Sequence, residues 1–295
     1  MPARWTVLAS GSSGNASLLE LDGGALLVDI GLGPRQLARR LQEIGSAWQR
    51  VRGVVLTHTH SDHWSARSLA RLGELRVPFF CHAEHLRPLN RQCPEFQCLQ
   101  FAGLVKTYAT GRIFEPVPGI SCRALELKHD GGATFGFRIE AEPDATGPNW
   151  AVGYVADLGS WEASLPRDLA DVDVLALEFN HDVELQLASG RARWLIQRVL
   201  GEFGHLSNAQ GARLLEECAG HSTPGRLQHV IQLHLSRDCN RPSLAAAAAL
   251  GVIERRNLGA ALHTSSQDVP GPTIWLGAGS RHEARGPGHH LEKTA

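Results

Sequence analysis

The chain has 295 residues, of which 43% are hydrophobic and 20% are charged, and its formal net charge is −1. This length allows one large domain or two small ones, and the composition is typical of a soluble globular protein. The near-neutral charge is not the profile of a protein that binds nucleic acid non-specifically through a basic surface. No apolar run approaches the length of a transmembrane helix, so no membrane partner is expected.

The N-terminus and the cysteines indicate the compartment. The first residues lead directly into a strand pattern, without the apolar core of a signal peptide. The six cysteines form no C-x-x-C pair and no regular framework, so we expect free thiols, with Cys93 and Cys98 buried. Both observations predict a cytoplasmic protein.

In chain order, short apolar runs alternate with segments of helical periodicity. Strands are predicted at residues 6–9, 17–21, 25–29, 54–56, 77–81, 97–101, 120–127, 134–139, 152–156, 172–178 and 229–233. Helices are predicted at residues 34–44, 65–72, 82–89, 191–203, 207–219 and 243–256. Pro and Gly at 142–149 predict a hairpin turn. From residue 280 the apolar periodicity is lost, which predicts a disordered tail that holds no site residue.

Residues 57–63 are the most informative segment, because His58, His60, Asp62 and His63 fall within six positions. Imidazole and carboxylate are the natural ligands of zinc. Four such ligands in so short a span cannot comfortably close one tetrahedral site, so two adjacent ions are expected. Two-ion centres cleave phosphodiesters and other esters. The apolar run at 53–56 predicts a buried strand, which places the ligands on the loop at its C-terminal end.

The pattern His-x-His-x-Asp-His after an apolar strand resembles the signature of the metallo-β-lactamase superfamily. Four further residues stand at predicted strand ends in the order that this superfamily shows: Asp29, His129, Asp157 and His234. The resemblance extends over residues 6–242. It implies an α/β protein, a four-layer αβ/βα sandwich with a dinuclear metal site between its sheets. The expected domain spans residues 1–279, followed by the tail at 280–295.

The resemblance also implies the roles of the ligands. One ion would take His58, His60 and His129, the other would take Asp62, His63 and His234, and Asp157 would bridge the two. Both ions would be divalent, with zinc preferred and manganese feasible. Asp62 would also act in catalysis, by orienting or deprotonating the hydroxide between the ions, while Asp29 would hold the ligand loop.

Four short motifs narrow the resemblance. Residues 10–15, 178–184, 204–208 and 234–236 are similar to the WalJ/YycJ branch, which is itself similar to RNase Z. This branch implies a metal-dependent phosphodiesterase, specifically a 5′-to-3′ DNA exonuclease whose nucleophile is a metal-bridging hydroxide. A nucleic-acid substrate is therefore expected, with DNA favoured over RNA.

Within these motifs the branch implies further site residues. His205 opens a helix for which Ser207 is the predicted N-cap, and an imidazole there could protonate the leaving alkoxide. Glu178 would orient His205. Asn180 and His181 would contact substrate phosphate, and Asn15 would line the cleft.

The role of the arginines near the predicted site is left open, and so are two alternative functions. Arg237 and Arg241 either contact phosphate or are solvated, whereas Arg35, Arg39 and Arg40 are predicted on a solvated helix face. One alternative is a hydrolase of small esters, thioesters, lactones or cyclic phosphodiesters with the same fold. The other is a non-catalytic adaptor, which the filled ligand positions disfavour. The oligomeric state is not predicted.

Overall fold

The computed structural model describes residues 3–141 and 150–277, and its frame is a pair of seven-stranded sheets that face each other. Helices cover the outer face of each sheet, which gives the expected four layers. Among the described residues, no helix is both long and apolar enough to cross a membrane. The α/β sandwich predicted from the sequence is therefore confirmed.

The first sheet has the order β14-β1-β2-β3-β4-β5-β6. Its strands are β1 (Ala3–Ala9), β2 (Ala16–Leu21), β3 (Gly24–Val28), β4 (Val51–Val55), β5 (Phe79–His82), β6 (Val105–Tyr108) and β14 (Ile274–Leu276). β3, β4, β5 and β6 are parallel to one another. β14, the last strand among the described residues, pairs antiparallel with β1, so strands far apart in the chain are joined in one sheet.

The second sheet has the order β13-β12-β11-β10-β9-β8-β7. Its strands are β7 (Ile113–Val117), β8 (Ile120–Leu127), β9 (Thr134–Ala141), β10 (Ala151–Val155), β11 (Val174–Glu178), β12 (His229–Leu233) and β13 (Ala261–Thr264). β10 to β13 are parallel. β9 is antiparallel to both β8 and β10, so β8 runs in the same direction as the parallel strands.

The helices divide between the two outer faces. The first sheet is covered by α1 (Pro34–Glu43), α2 (Ala66–Leu75), α3 (Leu86–Gln92) and α4 (Pro94–Phe101). The second carries α5 (Leu165–Asp168), α8 (Asn208–His221) and α9 (Pro242–Arg255). Two short helices, α6 (Val183–Leu187) and α7 (Arg193–Leu200), lie in the connection between β11 and α8.

The central core lies between the sheets and is built from their inward side chains. Trp5 on β1 and Tyr154 on β10 are fully buried there, with ring centroids 6.0 Å apart. Large buried aromatic rings supply much of the area removed from water in such a core. Separate clusters of buried residues fill the space under each helical layer. The sheets are thus fixed against each other, which makes their strand ends a rigid support.

Several sequence predictions were wrong. Residues 97–101 were expected to form a strand but belong to helix α4, which begins at Pro94 and buries Phe96 and Leu99 three residues apart. Strands β6, β7, β13 and β14 were not predicted. Cys98 is exposed on α4, whereas Cys93 is buried. The turn at 142–149 and the tail at 280–295 lie outside the described residues.

Arg40 also departs from its prediction, because it is buried and not on a solvated face. Its guanidinium donates hydrogen bonds to the carbonyl oxygens of Leu8 and Gln267, at 2.5 and 2.9 Å. The charge therefore satisfies two carbonyls that would otherwise be buried without a donor. Arg39, its neighbour on α1, is exposed and pairs with Glu43.

We expect Arg40→Leu to lower the free energy of unfolding by about 2–4 kcal/mol, because two buried carbonyls lose their donor. Arg39→Leu is the matched control and should change it by less than about 0.5 kcal/mol, since it removes only an exposed pair. Urea denaturation followed by circular dichroism measures both. Equal effects for the two variants would contradict the structural role of Arg40.

Candidate metal centre

The candidate ligands meet where strand ends from both sheets converge. β3 and β4 contribute from the first sheet, and β8, β10, β11 and β12 contribute from the second. Because the contributing strands within each sheet run in the same direction, their carboxyl ends share one edge. Asp29, Asp157 and His234 each follow a strand with a positive φ, of 63°, 59° and 57°. Such left-handed backbone is uncommon outside glycine, and it turns each side chain out of the strand direction.

All seven predicted ligands come together at this edge. His58, His60 and His129 offer ligand atoms within 4.8 Å of one another. A second group with the same spacing contains Asp62, His63 and His234. Asp157 forms a further group with His58 and His63, and another with His234 and the pair Glu178 and His205. Asp157 therefore lies between the two predicted ligand groups.

The buried donor atoms at this edge fit divalent ions. The Nε2 atom of His58 is buried and has no hydrogen-bond partner among the described residues, and the buried Oδ2 atom of Asp157 lies 3.0 Å from Nε2 of His63. Buried polar atoms are normally paired, so the free Nε2 atom of His58 needs a physical explanation. Both atoms are electron-pair donors that face a cluster of imidazole and carboxylate groups. This donor set suits zinc, and the two carboxylates also suit manganese.

Burial and charge set the protonation of the first group. Burial lowers the pKa of His58 well below its ordinary value, and the charge of His63 lowers it further. Burial also lowers the pKa of His60 and of His129. All three rings are therefore neutral near pH 7, which is the form of histidine that binds a metal ion.

The carboxylates are anionic for a different reason. Burial would raise the pKa of Asp157, but the charges of His234 and His63 outweigh it, and the pKa falls well below its ordinary value. The pKa of Asp62 is lowered in the same way, against burial, chiefly by the charge of His63 and a hydrogen bond to His234. Deprotonated carboxylates are the form that a metal ion requires. Against burial, the surrounding carboxylates raise the pKa of His63 and of His234 well above the ordinary value, so these two rings must release a proton when an ion binds.

The loop that carries the ligands is held by Asp29, which is fully buried. Its carboxylate accepts a hydrogen bond from the Thr57 amide at 2.9 Å and lies 2.7 Å from the Nδ1 atom of His63. The Thr57 hydroxyl also lies 3.0 Å from this carboxylate. A carboxylate on Nδ1 fixes the ring orientation and leaves Nε2 for a ligand role. No role was predicted for Thr57, although it precedes the motif directly.

The N-terminal turn at residues 10–15 supports two ligand segments. The Asn15 side-chain amide lies 3.1 Å from Asp62 Oδ2 and 3.0 Å from His63 Nε2, and the side chain is fully buried. The His234 amide donates to the Ser10 hydroxyl at 2.8 Å. Gly31 lies so close that a Cβ atom there would be 1.9 Å from the Asp62 carbonyl oxygen. These residues position the ligand backbone, and sequence reasoning missed Ser10.

His205 lies beside the candidate ligands and is only partly buried. Its Nδ1 atom is 2.8 Å from the Glu178 carboxylate, and its ring stacks on that of His234 with centroids 5.2 Å apart. Burial opposes the negative charge of Glu178, yet the charge of His205 and its hydrogen bond lower the pKa of Glu178 to about 2. The other carboxylate oxygen of Glu178 accepts hydrogen bonds from the backbone amides of Leu158 and Leu206. The Nε2 atom of His205 has no hydrogen bond to a described residue and stays free.

The helix after His205 begins as expected. Ser207 is the N-cap of α8, and its hydroxyl accepts the Gln210 amide while the Gln210 side chain accepts the Ser207 amide. This reciprocal capping box fixes the first turn of the helix. The predicted N-cap is thereby confirmed, and it holds the segment that bears His205.

Two residues predicted to contact phosphate are buried. The Asn180 side-chain amide donates to the His234 carbonyl at 2.8 Å and lies 3.1 Å from its Nδ1 atom. His181 is fully buried, neither of its ring nitrogens has a hydrogen-bond partner in the described part of the chain, and burial lowers its pKa to about 4. In this geometry Asn180 supports a ligand. Neither residue faces open solvent.

The arginines near His234 are occupied by other contacts. Arg237 pairs with Asp268 at 2.7 Å. Arg241 donates to the carbonyl oxygens of Asp238 and Asn240. Both side chains therefore already have partners in the described structure.

Comparison with known proteins agrees with this geometry. The family model described as a β-lactamase superfamily domain matches residues 25–226. The chain belongs to this superfamily. It is therefore a hydrolase of the metallo-β-lactamase fold, as the motif predicted. The matched span contains six of the candidate ligands, and only His234 lies beyond it.

Two curated relatives are similar to this chain in sequence, and one solved structure is similar to it in fold. It is 28% identical over 264 residues to exodeoxyribonuclease WalJ of Streptococcus pneumoniae, which covers 87% of this chain and 90% of the relative. It is 27% identical to exodeoxyribonuclease YycJ of Bacillus anthracis, over 88% and 92% of the two chains. The metallo-β-lactamase fold protein YhfI from Bacillus subtilis superposes with a TM-score of 0.65 at 16% identity, over 93% and 100%. The predicted resemblance to the WalJ/YycJ branch is confirmed.

We expect Asp29→Asn to weaken zinc binding about 10- to 100-fold, because the ring of His63 loses the carboxylate that orients it. Competition titration of zinc against a chromophoric chelator measures the affinity. Asp22→Asn, in the exposed turn between β2 and β3, is the matched control and should bind zinc as the unmodified chain does. Unchanged affinity in Asp29→Asn would show that this carboxylate does not support the centre.

Proposed function

We propose that the chain is a two-metal phosphodiesterase that degrades DNA from a 5′ end. His58, His60 and His129 would hold one ion, Asp62, His63 and His234 the other, and Asp157 would lie between them. The observation that carries the proposal is the ring of His205 beside this cluster, with Nδ1 held by Glu178 and Nε2 without a hydrogen bond to a described residue. An imidazole in that position can protonate a leaving group.

The chemistry of the leaving group supports a phosphodiester. Cleavage of a phosphodiester in DNA releases an alkoxide, which is a poor leaving group unless it is protonated as it departs. A thiolate or carboxylate leaving group needs this assistance less. A held histidine at the centre therefore favours phosphodiesters over thioesters and lactones.

Each residue then has a defined task. Divalent ions bound at the centre would supply hydroxide at neutral pH and polarise the phosphoryl oxygens. The anionic Asp62 orients the attacking water. Glu178 holds Nδ1 of His205, so that Nε2 faces the substrate and delivers the proton to the leaving oxygen. Asn15 and Asp29 keep the ligand loop in place.

The preference for DNA rests on the relatives. Two chains that are 27–28% identical over most of their length carry the name exodeoxyribonuclease. The 5′ polarity and the choice of zinc are carried over from the resemblance of the motifs and from the donor set.

The first test is a time course on 5′-phosphorylated, 3′-labelled single-stranded DNA with zinc or manganese. We expect stepwise shortening from the 5′ end. Asp62→Ala should lower the rate of DNA shortening at least about 100-fold, because it removes a metal ligand that also orients the water. Intact DNA after incubation with protein of verified metal content would contradict the exonuclease proposal and would direct the search to RNA and small esters.

The second test separates the general acid from the rest of the centre. His205→Ala should slow DNA cleavage about 10²- to 10⁴-fold. It should slow hydrolysis of bis(p-nitrophenyl) phosphate much less, because nitrophenolate leaves without a proton. The control is His221→Ala, which changes the exposed last residue of α8, the helix that follows His205. Equal losses on both substrates would show that His205 is not the general acid.

A further inference from the structure

Helix α7 is tied at its start to the His234 side of the centre. Arg191, two residues before the helix, pairs with Asp238 at 2.8 Å. Asp238 lies four residues after His234, on the segment that leaves the centre. The preceding helix α6 is attached to the same segment, because the amide of Asp182, its N-cap, donates to the Cys239 carbonyl at 2.8 Å.

The other end of α7 is tied to the opposite side of the centre. Arg198, in its last turn, forms a two-pronged ion pair with Asp130, with Nη2 and Oδ1 3.0 Å apart. Asp130 lies 3.5 Å from His129 and 3.8 Å from His60. Because Arg191 and Arg198 reach opposite sides, α7 crosses the rim of the candidate metal centre between two ion pairs.

The segment between these anchors exposes a tryptophan. Trp194 is 66% exposed, whereas Trp5 and Trp150 are fully buried in the core. It lies one helical turn before Arg198, so the two side chains share a face of the helix. The side chain of Arg193 is exposed and forms no hydrogen bond or ion pair with another described residue. The rim therefore presents an exposed indole ring on a helix that also carries the unpaired guanidinium of Arg193.

This combination selects the chemistry of the ligand. An exposed indole offers a flat apolar face on which any nucleobase can stack, and arginines beside it attract phosphate. An apolar face for a protein partner would not need an unpaired cation next to the indole. The position beside the ligands of a phosphodiesterase makes a polyanion the complementary occupant.

We propose that α7 is the platform for the substrate strand, with Trp194 stacked on a base next to the scissile phosphodiester and Arg193 on a neighbouring phosphate. Arg198, neutralised by Asp130, positions the helix. This inference rests on the proposed nuclease function and adds single-stranded DNA, bound through base stacking, as its substrate class.

The test measures binding apart from cleavage. The probe is a fluorescein-labelled, 5′-phosphorylated twelve-residue oligothymidylate with phosphorothioate linkages. Its binding to the metal-loaded protein is measured by fluorescence anisotropy. Trp194→Ala should raise its dissociation constant about tenfold, the loss expected for one stacked base. Trp194→Phe should keep most of the affinity. Trp275→Ala removes a ring that is 52% exposed on β14 and should leave affinity unchanged.

The salt dependence tests the arginine. Arg193→Gln should lower the slope of log affinity against log salt by about 0.7, the value for one phosphate contact on a single strand. Arg112→Gln, in the exposed turn before β7, is the matched control and should keep the slope. An unchanged slope in Arg193→Gln would remove this residue from the platform.

The outcomes separate the platform from the proposed function. If the unmodified protein hydrolyses bis(p-nitrophenyl) phosphate but not DNA, the nuclease proposal fails and the platform fails with it. If it degrades DNA while Trp194→Ala binds the oligonucleotide as tightly as Trp275→Ala does, only the platform is overturned. If Trp194→Ala slows hydrolysis of bis(p-nitrophenyl) phosphate by as large a factor as it weakens binding of the oligonucleotide, Trp194 has a structural role. That result would also overturn the platform.

Discussion

The charge of Asp157 is the constraint on which the centre depends. A carboxylate buried between two sheets is strongly unfavourable unless cations or donors surround it. Here His63 lies 3.0 Å from its Oδ2 atom, and His234 and His205 lie 3.4 and 3.5 Å from Oδ1. His63 follows β4, His234 follows β12 and His205 precedes α8. Neutralising one buried anion therefore requires both sheets to be in place, so fold and site are stabilised together.

A second layer of contacts orients the rings around that anion. Asp29 acts on His63, Glu178 acts on His205, and the Gly204 carbonyl accepts from Nδ1 of His129 at 2.8 Å. In each case the partner occupies Nδ1, and for His63 and His129 the Nε2 atom then faces Asp157. One histidine alone would rotate freely, and its partner removes that freedom before any ion binds. The rigidity of the centre thus comes from groups that are not themselves candidate ligands.

Sequence reasoning identified the residues of the centre but not the contacts that hold them. The ligands were predictable because they follow apolar strands within short, recognisable motifs. The Ser10 hydroxyl and the His234 amide are 224 residues apart, and only the closed fold brings them together. Helix α4 was mistaken for a strand because its apolar residues were read without the helix-starting Pro94. Arg40 looked solvated because a local pattern cannot reveal two distant carbonyls.

The contact between Ser10 and His234 has a consequence for biosynthesis. The ribosome delivers His58, His60 and His129 long before His234, while β14, the partner of β1, follows last. A nascent chain can therefore assemble only the first ligand group until β12 has been made. Pairings between such distant segments are slow to form and leave strand edges open meanwhile. The centre is completed late, so an unfinished chain cannot act as the finished enzyme does.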